Sequence, residues 1–472
     1  MTYKFFFNLK ERSDVGFWAL PLLGTFLLLV FLTGGGSRAD VQSLVILQPV
    51  SLLCLGVAVL GLQRTEFLQN RFLFILGAAV IVLTAAHLVM LPPELWHLLP
   101  GRFLAADVDE AVGLNSQWRP LSLVPDATWN SLFSLAVPAA VFLLAIKIND
   151  KRRVLLLLIL LLLGLLSGLI GLVQTIGSPQ SSLYFYRITN NGAAVGLFAN
   201  RNHQAMFLSC LFPMLAVFAS TGVNTAAQAN RKLWLALGAG TLLIPLVLIT
   251  GSRAGLVTSV IGILSVLTLY RRPIELAASR RTLDRVKFRT SYFVLGGVAF
   301  AISLFLSSRV SSVLQISMDN KVDELRFQMW GPIWNMVKIY MPWGSGIGSF
   351  VETYRVHEPQ SLLSVTYRNH AHNDWLETIL TGGLPALMIL VAATVGVCRA
   401  AWINFKVGYR GQSDMAFARL GTIILLILAF GSFADYPLRT PSLAGLFVIA
   451  AVWAATDFGI ASKDVMTLDI QT

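Results

Sequence analysis

Charge is what this 472-residue chain has least of: Asp, Glu, Lys and Arg make up 13% of it, against 56% hydrophobic residues. A soluble surface of this size needs far more charge. The composition, with a mean hydropathy of +0.70, therefore excludes a soluble globular protein and demands an integral membrane protein. Cysteine is scarce as well. Cys54, Cys210 and Cys398 fall inside apolar runs at unrelated spacings, which excludes a disulfide framework and a thiolate metal site. Ionisable residues are nearly missing from the interiors of the apolar runs, where ion-coupled transporters keep acids near the midplane. Nor is there an internal repeat or low-complexity tract, so an inverted-repeat transporter has no direct support. The start, MTYKFFFNLKERSDVGFW, sets Lys4, Lys10 and Arg12 ahead of an apolar run as a signal peptide does. No small-residue cleavage site follows, and the segment reads as an uncleaved first helix.

What is present is a succession of apolar runs long enough to cross about 30 Å of hydrocarbon. They lie near 17–33, 42–61, 72–91, 129–146, 154–176, 203–220, 233–250, 254–270, 291–307, 375–398, 418–434 and 441–456. The expected fold class is therefore all-α, a polytopic membrane protein of about twelve spans. The formal charge of +12 does not mean nucleic acid, because the basic residues sit mostly in short loops such as 147–153, 271–289 and 399–406. That bias places both termini in the cytoplasm. Three outward segments are long: 92–128, rich in Pro and Trp; 177–200; and about 308–371, the largest. Within the last, WGPIWNMVKIYMPW has the helical spacing of a stretch that lies along the membrane surface or lids a cavity.

Chemistry concentrates at the outward ends of spans. NHAHNDWLETILTGGL (369–384) closes the longest polar segment and opens a hydrophobic helix, setting two histidines, an Asn-Asp pair and a Glu where a span meets water. The neutral imidazoles of His370 and His372 can take a proton from a sugar hydroxyl near pH 7. The remaining histidines are scattered, and no metal site is expected. Asp374 and Glu377, spaced i and i+3 at a helix start, resemble a capping box. Three arginines also stand at outward ends: Arg201 in FANRNHQAMF, Arg253 in TGSRAGLV and Arg326 in DELRFQMW. Their rigid forks match phosphate oxygens and stay charged, so several on one pocket would hold a pyrophosphate. An isolated arginine there instead snorkels as a headgroup anchor. Arg253 is set apart by Gly251, Ser252 and Gly255, which allow close backbone approach. PWGSGIGSF (342–350) has the glycine spacing of a phosphate loop, but no strand precedes it, and a tight turn is the better reading.

Taken together these motifs resemble the O-antigen ligase and polysaccharide polymerase superfamily, the glycan transferases with a Wzy-C-type core. The resemblance covers roughly 195–400. The family's His, then Asn, Ser or Gln, nine residues, then Gly falls on His372, Asn373 and Gly383. Three positions on, where the family has Gly, Thr or Tyr, stands Ala386. Pro342 to Phe350 represents the PxGxGxF element, two residues longer than its tightest form. The arginine at an outer span end fits Arg253, the loop arginine before an aromatic helix fits Arg326, and the Asn-containing span start fits Asn200 and Asn202.

The resemblance implies an inner-membrane enzyme with a periplasmic site and no cofactor or metal. It would move a glycan from an undecaprenyl-pyrophosphate-linked donor to a sugar hydroxyl on lipid A-core or on a growing polysaccharide. His372, Arg253 and Arg326 would be catalytic. Arg201, Asn200, Asn202, His370, Asn373, Asp374 and Trp330 would bind substrate, membrane lipids would surround it, and no nucleic acid is involved. Ligase and polymerase share donor, fold and motif, so both stay open, and a lipid-linked oligosaccharide flippase is the reading from another class. The expected organisation is 1–195 as N-terminal spans, 196–400 as the ligase-related core, and 401–472 as C-terminal spans with a short tail.

Overall fold

The computed structural model describes residues 18–271, 320–363, 368–406 and 413–455, without the side chains of 320–326 and 413–414. The basic start, the 271–289 loop beyond Arg271 and the expected 291–307 span lie outside the described residues. So does Arg326 as a side chain. Apolar runs become helices because a chain without water must satisfy its backbone internally. In order these are α1 (Ala19–Thr33), α2 (Leu44–Leu60), α3 (Arg64–Gln69), α4 (Arg71–Ala86), α5 (Pro93–Trp96), α6 (Phe103–Ala111), α7 (Pro125–Ser134), α8 (Ala136–Ala145) and α9 (Asp150–Ile176). There follow α10 (Arg201–Ser220), α11 (Ala226–Leu248), α12 (Arg253–Leu269), α13 (Asn320–Tyr340), α14 (Phe350–His357), α15 (Asp374–Lys406), α16 (Ser413–Ala434) and α17 (Pro441–Ala454). The strand content among the described residues is one short antiparallel pair, Met90–Leu91 with Arg119–Pro120.

Among the described residues, six helical stretches are long and apolar enough to cross a membrane, α9, α10, α11 and α15 being four of them. Five shorter apolar helices accompany them: α1, α2, α4, α12 and α17. Polar side chains set the helix starts. Asn149 accepts from the Arg152 N–H to open α9, and Ser252 accepts from the Gly255 N–H to open α12.

The centre of the bundle is α10, buried on every side, with α16 mostly buried beside it, while α11 and α15 bury only one stripe. It packs most extensively on α12, then on α11, α9 and α16. Small residues bring α10 and α12 together. A Cβ on Gly255 would collide with Ala205, and one on Gly262 with the Ser209 carbonyl. Ser209 bonds Thr258 and Ser259 across the same seam, at 3.0 and 2.8 Å. These contacts follow a constant offset, so the two helices run parallel and Arg201 and Arg253 begin at the same end. Elsewhere Ile46, Leu53, Leu60 and Ile81 point outward and exposed, as lipid-facing side chains do.

Three segments close that end. The segment 177–200 is held by the buried Gln174 of α9, which accepts from the Val195 and Gly196 N–H groups and donates to the Leu183 and Gly196 carbonyls. In 92–128, the wholly buried Arg102 donates to the carbonyls of Leu121 and Gly344, 2.6 and 3.1 Å away. Burial pushes its guanidinium down to about 10. The third segment, 342–350, is a tight turn and no phosphate loop: Gly344, Gly346 and Gly348 all have positive φ. Its backbone bonds α15 directly, Ser345 N–H to Leu380 O, Gly346 N–H to Thr381 O, and Leu384 N–H back to Pro342 O. Gly383 has φ 64° and kinks α15 at this contact, and a side chain there would strike the Pro342 carbonyl. That is the physical need behind the glycine eleven positions after His372.

Candidate active site

The residues around the start of α15 form two clusters separated by one tyrosine. Asn373 opens the helix, its side-chain oxygen accepting from the Leu376 N–H at 3.0 Å. This corrects the capping-box expectation for Asp374 and Glu377, which are engaged elsewhere. Just before the helix His372 has φ 49°, a left-handed backbone held by a non-glycine residue. Such a conformation costs on the order of 1 kcal/mol and persists where the surroundings fix it.

What fixes it is Asp435, a wholly buried carboxylate between α16 and α17. His372 Nδ1 lies 3.1 Å from its Oδ1, which also accepts from the Tyr436 N–H at 3.0 Å. Its Oδ2 accepts from the side-chain amides of Asn200, at 3.1 Å, and Asn202, at 2.5 Å. His203 Nε2 stands 4.0 Å from Oδ1. An ionised Asp435 takes the Nδ1–H of His372 and so sets the tautomer that carries the lone pair on Nε2.

The second cluster belongs to Glu377 and Asp374. Glu377 accepts from His370 Nδ1 at 3.0 Å and from the Ala371 N–H at 2.9 Å. Asp374 accepts from Arg439 Nε at 3.1 Å, from Ser432 Oγ and from the Leu438 N–H. Arg439 also reaches Thr378 and Glu377, at 3.3 and 3.6 Å. Burial works against its charge, yet Glu377 and Asp374 outweigh that and hold the guanidinium above its ordinary value. Tyr436 stands between the clusters, its ring 4.3 Å from that of His370 and 4.9 Å from that of His372.

Of the residues singled out in the sequence, the structure gathers His372, Asn200 and Asn202 on Asp435, and sets His370 and Asp374 in the second cluster. Arg201 begins α10, its N–H donating to Asn190, and Arg253 begins the parallel α12 with its side chain exposed. Trp330 lies on α13 with its ring against Phe327. Asp435, Tyr436 and Arg439 were missed by sequence reasoning. The signal that finds them is the polar island ADYPLRT between two apolar runs, ionisable groups at a span end.

Residues 238–391 match the family model Wzy_C, O-antigen ligase. No curated protein matches the chain. The match takes in Arg253, His370, His372, Asn373 and Gly383, and stops before Asp435. The apolar helices point to a membrane protein, and the matched stretch is similar to the O-antigen ligase and polymerase type of glycosyltransferase. The matched stretch holds the His372-to-Gly383 motif, in agreement with the O-antigen ligase resemblance read from the sequence.

Proposed function

We propose that the protein transfers a glycan from an undecaprenyl-pyrophosphate donor to a sugar hydroxyl, as an inner-membrane enzyme whose site faces the periplasm. The observation that carries this reading is the His372–Asp435 pair at 3.1 Å, with its carboxylate wholly buried. An imidazole oriented through Nδ1 presents Nε2 as a general base. The acceptor oxygen bonds the anomeric carbon while the bond from that carbon to the pyrophosphate oxygen breaks. The acceptor proton passes to Nε2, and the departing pyrophosphate takes the electron pair. Arg201 and Arg253, on adjoining helix starts, with Arg326 from the outer segment, neutralise that leaving group and lower the barrier by several kcal/mol. This charge comes from the protein, so the reaction needs no metal or cofactor. Trp330, with the half-exposed Trp334 and Trp343, packs on sugar rings.

The acceptor is lipid A-core in the ligase reading, and another repeat unit in the polymerase reading. Glycan gels from a deletion strain complemented with wild type, His372→Ala or Arg253→Ala test both, with membrane levels of each variant measured alongside. Normal insertion with no restored glycan supports transfer. Loss of all lipid A-linked chains then marks a ligase, and retention of a single repeat unit a polymerase. Full restoration by both variants sinks the assignment and returns the flippase to the front.

A further inference from the structure

A cavity of about 1020 Å³ opens beside the second cluster. His370, Asp374, Glu377 and Arg439 line its mouth together with Arg38 and Arg355. From there it follows α15 past Ala386, Ile389 and Ala393 to Val397. At 1.5 Å per residue that is roughly 35 Å of helix, comparable to the hydrocarbon thickness of about 30 Å. Leu83, Pro138, Leu425, Phe430 and Phe447 supply the facing walls, all apolar. Length and lining fit a lipid chain.

The mouth decides which lipid. Every arginine there is already matched: Arg38 with Asp40 at 2.8 Å, Arg355 with Glu352 at 2.9 Å, Arg439 with Asp374 at 3.1 Å. Three arginines thus face four carboxylates, Glu377 being the fourth. A di-anion entering here would meet no surplus arginine among the described residues. A neutral polyol would find carboxylate oxygens, an imidazole and the Thr378 hydroxyl, all suited to sugar hydroxyls. The arginines that begin helices, Arg201 and Arg253, do not line this cavity.

We propose that this cavity is the acceptor site: a lipid-anchored glycan lies with its chain along α15 and its neutral hydroxyls on the His370–Glu377–Arg439 cluster. The donor pyrophosphate occupies the arginine side of Tyr436. The inference rests on the transferase reading for its biological meaning, but the lipid site can be tested apart from it.

The probe is a diacyl glycolipid with a neutral disaccharide head and a diazirine in one acyl chain, offered to the full chain in nanodiscs. Labelling is expected on the Ala393 and Phe447 peptides and is competed by unlabelled neutral glycolipid. Ala393→Trp and Ala444→Phe narrow the cavity from opposite walls and should each cut labelling about tenfold. Met388→Trp, on the lipid-facing side of the same helix, should leave it within about twofold. Undecaprenyl pyrophosphate competing as well as the glycolipid, or labelling indifferent to both cavity variants, overturns the proposal. In a transfer assay the same two variants should raise the acceptor KM and leave the donor KM alone. Labelling without any transfer by the wild type would sink the transferase reading while the lipid site stands.

Discussion

Asp435→Asn changes one atom at the point where His372, the proposed base, is oriented, and its effect can be worked through. Oδ1 serves His372 and the Tyr436 N–H, while Oδ2 serves Asn200 and Asn202. An amide of the same shape keeps one acceptor oxygen. If that oxygen stays with Asn200 and Asn202, the new NH2 faces His372 Nδ1 and forces the tautomer in which Nε2 carries the proton. The base is then protonated on the wrong nitrogen. Loss of a positioned general base costs roughly 10²–10⁴-fold, about 3–5 kcal/mol of barrier at 1.36 kcal/mol per decade. The assay is transfer from a lipid-linked donor by purified protein in nanodiscs, reported as kcat and KM for each substrate. The expected result is a collapse of kcat with donor KM nearly unchanged, and a melting temperature near wild type. Retention of more than about a tenth of wild-type kcat, in protein that inserts normally, would refute the account of Asp435.

Further outcomes are expected at sites that support the chemistry. Gly383→Ala puts a Cβ at φ 64° against the Pro342 carbonyl, and should cost on the order of 2 kcal/mol, read as a lowered melting temperature; an unchanged melt would contradict the close approach. Arg439→Ala removes the guanidinium that two buried carboxylates share, leaving Asp374 with neutral donors only, and should destabilise by about 3–5 kcal/mol. Adding Asp374→Ala should recover part of that loss, and strict additivity in the double-mutant cycle would deny the coupling. Burial, with the nearby Arg102 charge, outweighs the Trp343 carbonyl and holds the His87 imidazole below its ordinary value. Its contribution is therefore present above about pH 6.5 and is lost as pH falls through the lowered value. Hydrogen exchange of the 342–350 turn, where His87 Nε2 donates to the Trp343 carbonyl at 3.1 Å, should quicken on acidification. His87→Gln should flatten that pH dependence, and an equally steep profile in the variant would exclude the histidine.

The sequence reveals the helices and the first half of the site, because both depend on local pattern. Apolar runs announce α9, α10 and α15 by length alone, and His372, Asn373 and Gly383 share one stretch of chain. Gly383 was legible as a motif position but not as a cause, since the Pro342 carbonyl it admits comes from another segment. Asp435 is marked in sequence only by the polar island ADYPLRT, which does not name its partners: 200, 202 and 372 are distant in sequence and meet only when α10, α15 and α16 pack. The capping-box reading failed for a related reason. Residue spacing was compatible with it, but Asn373 took the cap, and Arg439 supplied Asp374 with a stronger partner from 65 positions downstream. The arginines are intermediate cases. Their placement at span ends is a local signal, while the parallel pairing of α10 and α12 that aligns Arg201 with Arg253 rests on Gly255 and Gly262 finding Ala205 and Ser209.

The kink at Gly383 divides α15 mechanically. Above it, the first turns are bolted to the 342–350 turn and to the Arg439 cluster. Below it, Leu384, Met388, Val391 and Val395 face outward and exposed. A bilayer that thickens, thins or bends tilts helices to match its hydrocarbon depth, and here the lower length can swing while the upper turns stay bolted in place. Gly383 thus acts as a joint between a part that follows the membrane and a part that keeps its angles. The arrangement of His372 and Asp435 is thereby expected to hold its distances across membranes of differing thickness.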